Sequence, residues 1–143
     1  MKLSSSEIYW LANDVLLSIT NNLNNGIYSD LNGELKFGWG TDRSRCSARA
    51  FSYSATDNPP KHKIVIDETL ALRLYEDAAN YRKFLSDVRT KNLFAQNHNG
   101  FEIKPHLFED TPIEESVKNI FFGALTWIYY HELGHLIQEH GYI

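Results

Sequence analysis

The sequence predicts an α+β protein in which helices pack on a small mixed or antiparallel sheet. One segment with apolar residues at helical spacing begins the chain, short alternating segments follow, and two further helical segments come after them. The 143 residues, 43% of them hydrophobic and 22% charged, suffice for one domain with a buried core. We therefore interpret residues 1–143 as a single domain.

The first helix is predicted from about Ser5 to Leu23. Ser4 and Glu7 have the spacing of a capping box, in which each side chain accepts a hydrogen bond from the other residue's backbone. Asn24 to Gly26 then end the helix. Apolar residues recur along one face: Ile8, Leu11, Val15, Ile19 and Leu23.

Three strands are predicted next. Leu35, Phe37 and Trp39 alternate with polar or small residues, which indicates a half-buried strand. The stretches ARAFSYSA (48–55) and HKIVID (62–67) are two further strand candidates, separated by the breaker TDNPP. GFEI (100–103) is a candidate for a short fourth strand.

The second helix is predicted to begin between Asp67 and Thr69. Charged residues lie opposite its apolar stripe, as in an amphipathic helix. The stripe consists of Leu70, Leu74, Ala78, Tyr81, Leu85 and Val88.

The last helix has the clearest start signal in the chain. Thr111 can cap it, Pro112 suits the first helical position, and Glu114 completes a capping box. The helical pattern persists to His140, and Gly141 is suited to end it. Its apolar positions are Ile113, Val117, Ile120, Phe121, Ala124 and Ile128.

Composition excludes several classes of protein. A net charge of −4 without a basic block argues against a nucleic-acid partner. Polar residues interrupt any signal peptide near the N-terminus, and the uncharged run 119–130 would span only about 18 Å as a helix, against roughly 30 Å for a bilayer core. We therefore expect no membrane insertion. The single Cys46 excludes an internal disulfide and predicts a reducing, cytoplasmic location.

The motif HELGH (131–135) near the end of the chain contains residue types that can bind a metal ion and transfer a proton. On a helix His131 and His135 lie about 40° apart around the axis and about 6 Å apart along it, so both imidazoles can reach one Zn²⁺. Glu132 is turned about 100° from His131, near the ion without being aimed at it. The spacing predicts that Glu132 is the catalytic base that takes a proton from a zinc-activated water.

HELGH, preceded by apolar and aromatic residues, resembles the motif of the zincin metallopeptidases. The longer pattern that ends at His140 resembles intracellular members such as the Lit-type phage-exclusion peptidases, and also a membrane-associated group of zincins. The resemblance covers about the last 30 residues. It implies a zincin-like fold with the motif on the C-terminal helix, two helical histidine ligands, a catalytic Glu132, and a later acidic ligand on a following helix.

The third zinc ligand is not evident in the sequence. A catalytic zinc usually has three protein ligands and one water. On a continuous helix His140 lies about 180° around from His131, and Glu139 lies about 12 Å along from it, so neither is well placed. We therefore expect the third ligand beyond Ile143, in a longer peptidase of which this chain is the N-terminal portion.

Other candidate ligands have plainer interpretations. His62 is expected to be a surface residue at a strand edge, and His98 and His106 to be solvated loop residues. Cys46 followed by a late motif helix is reminiscent of peptide deformylases, but that family's glycine-rich and glutamine-bearing signatures are missing. We interpret Cys46 as a thiol without a role in metal binding. Cys46, His62 and His106 remain alternative ligands only if the 143-residue chain by itself binds one zinc ion tightly and is active.

The predicted function is zinc-dependent hydrolysis of a peptide bond in a protein or peptide substrate. We expect the His131/His135 face to form the floor of a cleft beside the sheet, and Trp127 or Tyr130 to line a pocket near the metal. The resemblance implies that substrate pairs with an edge strand, for which HKIVID and ARAFSYSA are the candidates. The alternative is a non-catalytic binding or regulatory module that retains a zincin scaffold.

Overall fold

A computed structural model describes residues 3–55, 58–90 and 112–139 of the chain, without the side chains of 88–90 and 139. The α+β prediction is confirmed at the level of architecture, because three long helices pack on a three-stranded mixed sheet. The elements in chain order are α1 (Ser5–Asn24), α2 (Ile27–Asp30), β1 (Glu34–Gly40), β2 (Ala48–Ser52), β3 (Lys61–Asp67), α3 (Glu68–Thr90) and α4 (Ile113–Glu139).

The start of α1 follows its sequence signal. The Ser4 hydroxyl accepts from the backbone N–H of Glu7 at 3.2 Å, and the Glu7 carboxylate accepts from the backbone N–H of Ser4 at 3.3 Å. This reciprocal capping box satisfies N–H groups that have no partner within the helix. The predicted cap of α1 is therefore confirmed.

The strand order within the described sheet is β1-β3-β2. β1 runs parallel to β3, with Phe37 opposite Ile64, and β2 runs antiparallel to β3, with Ala50 also opposite Ile64. Of the two candidate edge strands, HKIVID therefore lies at the centre of this sheet, and only ARAFSYSA supplies an edge strand. Strand order depends on pairings between distant residues, which alternation along one strand does not encode.

One face of the sheet contributes to the hydrophobic core that the helices cover. Leu35, Ile64 and Ile66 are buried there, together with Ala12 and Leu16 of α1. Alternation along β1 and β3 directs these side chains to the same face. The helices therefore cover the apolar face of the sheet.

His62 is buried, which corrects the expectation that it is a surface residue. Only 2% of it is exposed, and its Nδ1 lies 2.7 Å from the hydroxyl of Tyr28, which is also buried. Tyr28 belongs to α2, which packs beside β1 and brings the phenol to the start of β3. A buried histidine needs such a hydrogen-bonding partner, and this one lies 34 residues away in sequence.

The apolar stripe of α3 is displaced from the predicted one. Tyr81 is 52% exposed, and Leu70 and Leu74 are only half-buried. The prediction followed the helical spacing of apolar residues, and two of its members, Ala78 and Leu85, are among the buried residues of the helix. The residues that face inward are Ala71, Tyr75, Ala78, Arg82 and Leu85.

Asp67 anchors the loop that crosses the end of the sheet. Because β1 and β2 lie on opposite sides of β3, the chain between them must pass the end of β3. The Asp67 carboxylate accepts two hydrogen bonds from the Arg49 guanidinium, at 2.9 and 3.0 Å, and one from the Ser47 backbone at 2.9 Å. Gly40 faces this carboxylate so closely that a Cβ there would lie 2.0 Å from its Oδ1.

Several predictions fall outside the described residues. These are the GFEI strand, the Thr111 cap, the loop histidines His98 and His106, and the helix end at His140 and Gly141. Within the described ranges, none of the helices has the length and apolarity needed to cross a bilayer.

Candidate metal centre

Helix α4 has an inner face that is built into the core. The inward residues differ from the predicted set, since Ile113 is 61% exposed and Ile120, Ala124 and Ile128 are half-buried. The helix begins at Ile113 and runs unbroken through the HELGH motif to Glu139. Its buried apolar residues are Val117, Phe121, Leu125, Tyr129, Leu133 and Leu136.

Tyr129 fixes the rotation of α4 just before the motif. It is fully buried, its hydroxyl lies 2.6 Å from the Thr20 hydroxyl of α1, and its ring lies 6.4 Å from that of Phe37 in β1. Because the Thr20 hydroxyl donates to the Leu16 carbonyl at 2.7 Å, Tyr129 is the donor to Thr20. Burial raises the pKa of the Tyr129 phenol to about 12, so the group stays neutral and donates.

This rotation turns the motif histidines outward. His131 and His135 are both exposed, on the side of α4 away from Tyr129 and Leu133. The expectation that this face forms the floor of a cleft beside the sheet stays a prediction: the two imidazoles are exposed, and α4 packs against the edge strand β2. The inner side of the motif helix contributes to the core, and its outer side presents the polar residues.

The two imidazoles converge on one another. Their Nε2 atoms are 3.3 Å apart, their ring centroids are 4.8 Å apart, and the ring planes are nearly perpendicular, at 89°. Two nitrogen ligands at about 2.0–2.1 Å from a tetrahedral zinc ion stand about 3.3–3.4 Å apart. The observed separation therefore fits two ligands of one zinc ion, and it also allows one imidazole to donate an N–H to the other.

Glu132 lies between the inner and outer faces. It follows His131 directly, precedes the buried Leu133, and is itself half-buried. On the unbroken helix its Cα is displaced by about 100° and 1.5 Å from that of His131. Glu132 therefore leaves the helix on the side between the exposed histidines and the buried Leu133.

Trp127 extends the histidine pair toward the start of the helix. Its indole lies 5.0 Å from the His131 imidazole, the planes of the two rings are only 16° apart, and the residue is 66% exposed. Tyr130 is also exposed, at 47%. As a candidate pocket residue, Trp127 is predicted together with Tyr130; the spacing W-x-x-x-H-x-x-x-H is the signal that predicts a continuous column.

No third ligand joins the pair in the part of the chain that the structure describes. Among those side chains, His, Cys, Asp and Glu form no cluster of three or more that could hold a metal ion. Cys46 is exposed in the loop between β1 and β2, and His62 contacts Tyr28 in the interior. The structure thus brings together His131 and His135, with Glu132 adjacent, and does not add Cys46 or His62 to them.

Comparisons of the chain with models of protein families, with curated proteins and with solved structures find no match. The function of the α4 residues is therefore inferred from their own geometry and chemistry.

Proposed function

We propose that this chain is a zincin-type zinc metallopeptidase domain, in which His131 and His135 bind Zn²⁺ and Glu132 is the general base. The observation that carries the proposal is the 3.3 Å separation of the two Nε2 atoms on a continuous, core-anchored helix. Imidazole nitrogens are common ligands of zinc, and both rings are accessible from solvent.

The protein side chains divide the work of hydrolysis. Zinc, when bound, supplies a Lewis acid that acidifies water and polarises a carbonyl. Glu132 accepts the proton of the attacking water and then delivers it to the leaving amine nitrogen. The unbroken helix keeps Glu132 in a fixed direction relative to His131, and the buried anchor at Tyr129 fixes the rotation of that helix against α1.

The proposed substrate is a protein or peptide. An extended peptide can add to a sheet edge through backbone hydrogen bonds, and β2 lies at an edge of the described sheet and packs against α4. β3 is paired on both sides, so β2 is the strand we propose for substrate pairing. The lone, exposed thiol of Cys46 supports a cytoplasmic location.

A third protein ligand is part of the proposal and comes from outside the described residues. A two-histidine site holds zinc more weakly than a site with three ligands, since water replaces the lost ligand. We therefore expect tight zinc binding at low micromolar metal to require that third ligand as well as His131 and His135.

The decisive experiment measures zinc content and peptide cleavage in the same samples. The wild-type protein should bind one zinc and cleave members of a peptide library, as detected by mass spectrometry. Glu132→Gln should keep its zinc and lose activity by about 10²- to 10⁴-fold, because an amide cannot accept the proton. Glu115→Gln, an exposed glutamate in the first turn of the same helix, is the matched control and should remain active.

Two outcomes would overturn the proposal in different ways. Full activity of Glu132→Gln would show that another group is the base. Stoichiometric zinc without any cleavage by the wild-type protein would favour the non-catalytic binding module.

A further inference from the structure

Trp127, His131 and His135 form a column along the outer face of α4. Successive members are four residues apart, the spacing at which helical side chains contact one another. The Trp127 indole is nearly parallel to the His131 imidazole, at 16° and 5.0 Å, and the His131 imidazole meets the His135 ring edge to face at 4.8 Å. His131 is therefore held between an indole and the second imidazole.

Within the described residues, the core does not account for a tryptophan at this position. Trp127 is 66% exposed and does not belong to the set of side chains that pack against the core. Trp39 provides the contrast, because it packs against the core and its Nε1 donates to Asn13 at 3.0 Å. The main contact shown for the Trp127 ring is the stack on His131.

Stacking of this kind restricts a side chain that is otherwise mobile. An exposed histidine on a helix samples several χ1 and χ2 rotamers, and a metal ion selects only those that direct Nε2 toward the second ligand. A parallel indole favours one plane for the ring, and in that plane Nε2 faces Nε2 of His135. The entropic cost of ordering the His131 side chain is therefore incurred before the metal binds, and this raises the metal affinity.

We propose that Trp127 is a positioning residue that holds the His131 imidazole in its metal-binding orientation. The inference rests on the proposed function in one respect, that His131 and His135 are ligands of one metal ion. It requires neither catalysis nor a third ligand. Trp127 acts through His131 and needs no contact with the metal or with substrate.

The test compares the metal affinities of four variants of the 143-residue chain, each with a different residue in place of Trp127. Trp127→Ala and Trp127→Leu remove the ring and should weaken Zn²⁺ and Cu²⁺ binding about three- to tenfold, the range expected for one aromatic stack. Trp127→Phe and Trp127→Tyr restore a stacking ring and should bind within about twofold of wild type. Leucine keeps apolar bulk, so it separates stacking from simple coverage of the helix.

A spectroscopic signature tests the contact itself. Bound Cu²⁺ quenches the emission of an adjacent indole, so one equivalent should quench the wild-type protein, and Trp127→Phe should abolish that component. Trp10→Phe is the matched control, since Trp10 is 70% exposed on α1 and should leave the quenching intact. Circular dichroism should show unchanged helix content for all variants, because Trp127 does not pack on the core.

The outcomes distinguish the two proposals. If His131→Ala and His135→Ala bind metal as well as wild type, the metal site itself is wrong. If both histidines are required but Trp127→Ala or Trp127→Leu matches Trp127→Phe in affinity, the metal site stands and the positioning role is overturned. Weaker binding in Ala and Leu with recovery in Phe and Tyr supports the inference.

Discussion

The Asp67–Arg49 pair at the end of β3 and the His131–His135 pair on α4 are two polar pairs of opposite construction. Asp67 is fully buried, and its carboxylate accepts hydrogen bonds from Arg49 and from both the backbone and the hydroxyl of Ser47. The two imidazoles are exposed and converge on each other. One pair has its donors and acceptors matched within the protein, whereas the other directs two nitrogens at a common point in solvent.

The difference concerns which property leads us to propose a functional site in this molecule. Hydrogen bonds from Arg49 lower the pKa of the Asp67 carboxyl from 3.8 to about 2, a strong perturbation of the kind often used to find active sites. The lowered pKa of Asp67 arises where this residue anchors the loop between β1 and β2, and it reflects hydrogen bonds that hold the loop in place. The candidate site is instead marked by ligand geometry at the surface.

The largest effect that separates the two pairs is on stability. Asp67→Asn leaves the Arg49 guanidinium without its counter-charge at the end of the sheet, which should lower the free energy of unfolding by about 3 kcal/mol. Metal affinity of the folded protein should not change. Urea unfolding and metal titration of the same variant measure both quantities.

Asp42→Asn is the matched control, because Asp42 lies in the loop between β1 and β2 that Asp67 anchors, and it is exposed. It should change stability much less than Asp67→Asn does. Equal stability of the two variants would contradict the anchoring role of Asp67.

A smaller effect is expected from pH. Because the pKa of Asp67 in the folded state, about 2, is below its usual value of 3.8, its contribution is complete above pH 4 and is lost as pH falls from 4 to 2. The loss should be about 1–2 kcal/mol after allowance for solvent screening. The stability difference between wild type and Asp67→Asn should therefore narrow over this interval, and a difference that stayed constant from pH 5 to pH 2 would count against the ion pair.

The smallest effect concerns the glycine inside the motif. A Cβ at Gly134 would meet no heavy atom within 4 Å, and the same holds for Gly123 on the same helix. Each Gly→Ala substitution should stabilise α4 by about 0.8–1.0 kcal/mol through helix propensity alone. Thermal unfolding compares the two variants, with Gly123→Ala as the control. A gain at Gly123 without one at Gly134 would show that the motif needs glycine for a reason beyond packing.

Local signals in the sequence predicted most elements correctly. The Ser4/Glu7 capping box, the alternation in β1 and the helical spacing of HELGH each depend on residues that are near one another in the chain. These signals do not depend on tertiary contacts, so the elements they predict are still present in the folded protein. The unbroken helix through His131 and His135 was predicted from such a local signal, and the candidate site depends on it.

Three features that local patterns did not predict depend on distant partners. Burial of His62 is made possible by Tyr28, the central place of β3 by two strands that precede it, and the rotation of α4 by the contact of Tyr129 with Thr20. The last of these sets which side of α4 carries the exposed histidines. A pattern within one element cannot report which neighbour that element will face.

Electron paramagnetic resonance of the 143-residue chain with one equivalent of Cu²⁺ tests the central claim most directly. If His131 and His135 hold one ion between their Nε2 atoms, the spectrum should show splitting from two imidazole nitrogens. His135→Ala should reduce this to one nitrogen or abolish binding, while Asp67→Asn should leave the spectrum unchanged. A spectrum without imidazole coupling, or one that is identical in wild type and in the His131→Ala/His135→Ala double variant, would contradict the account.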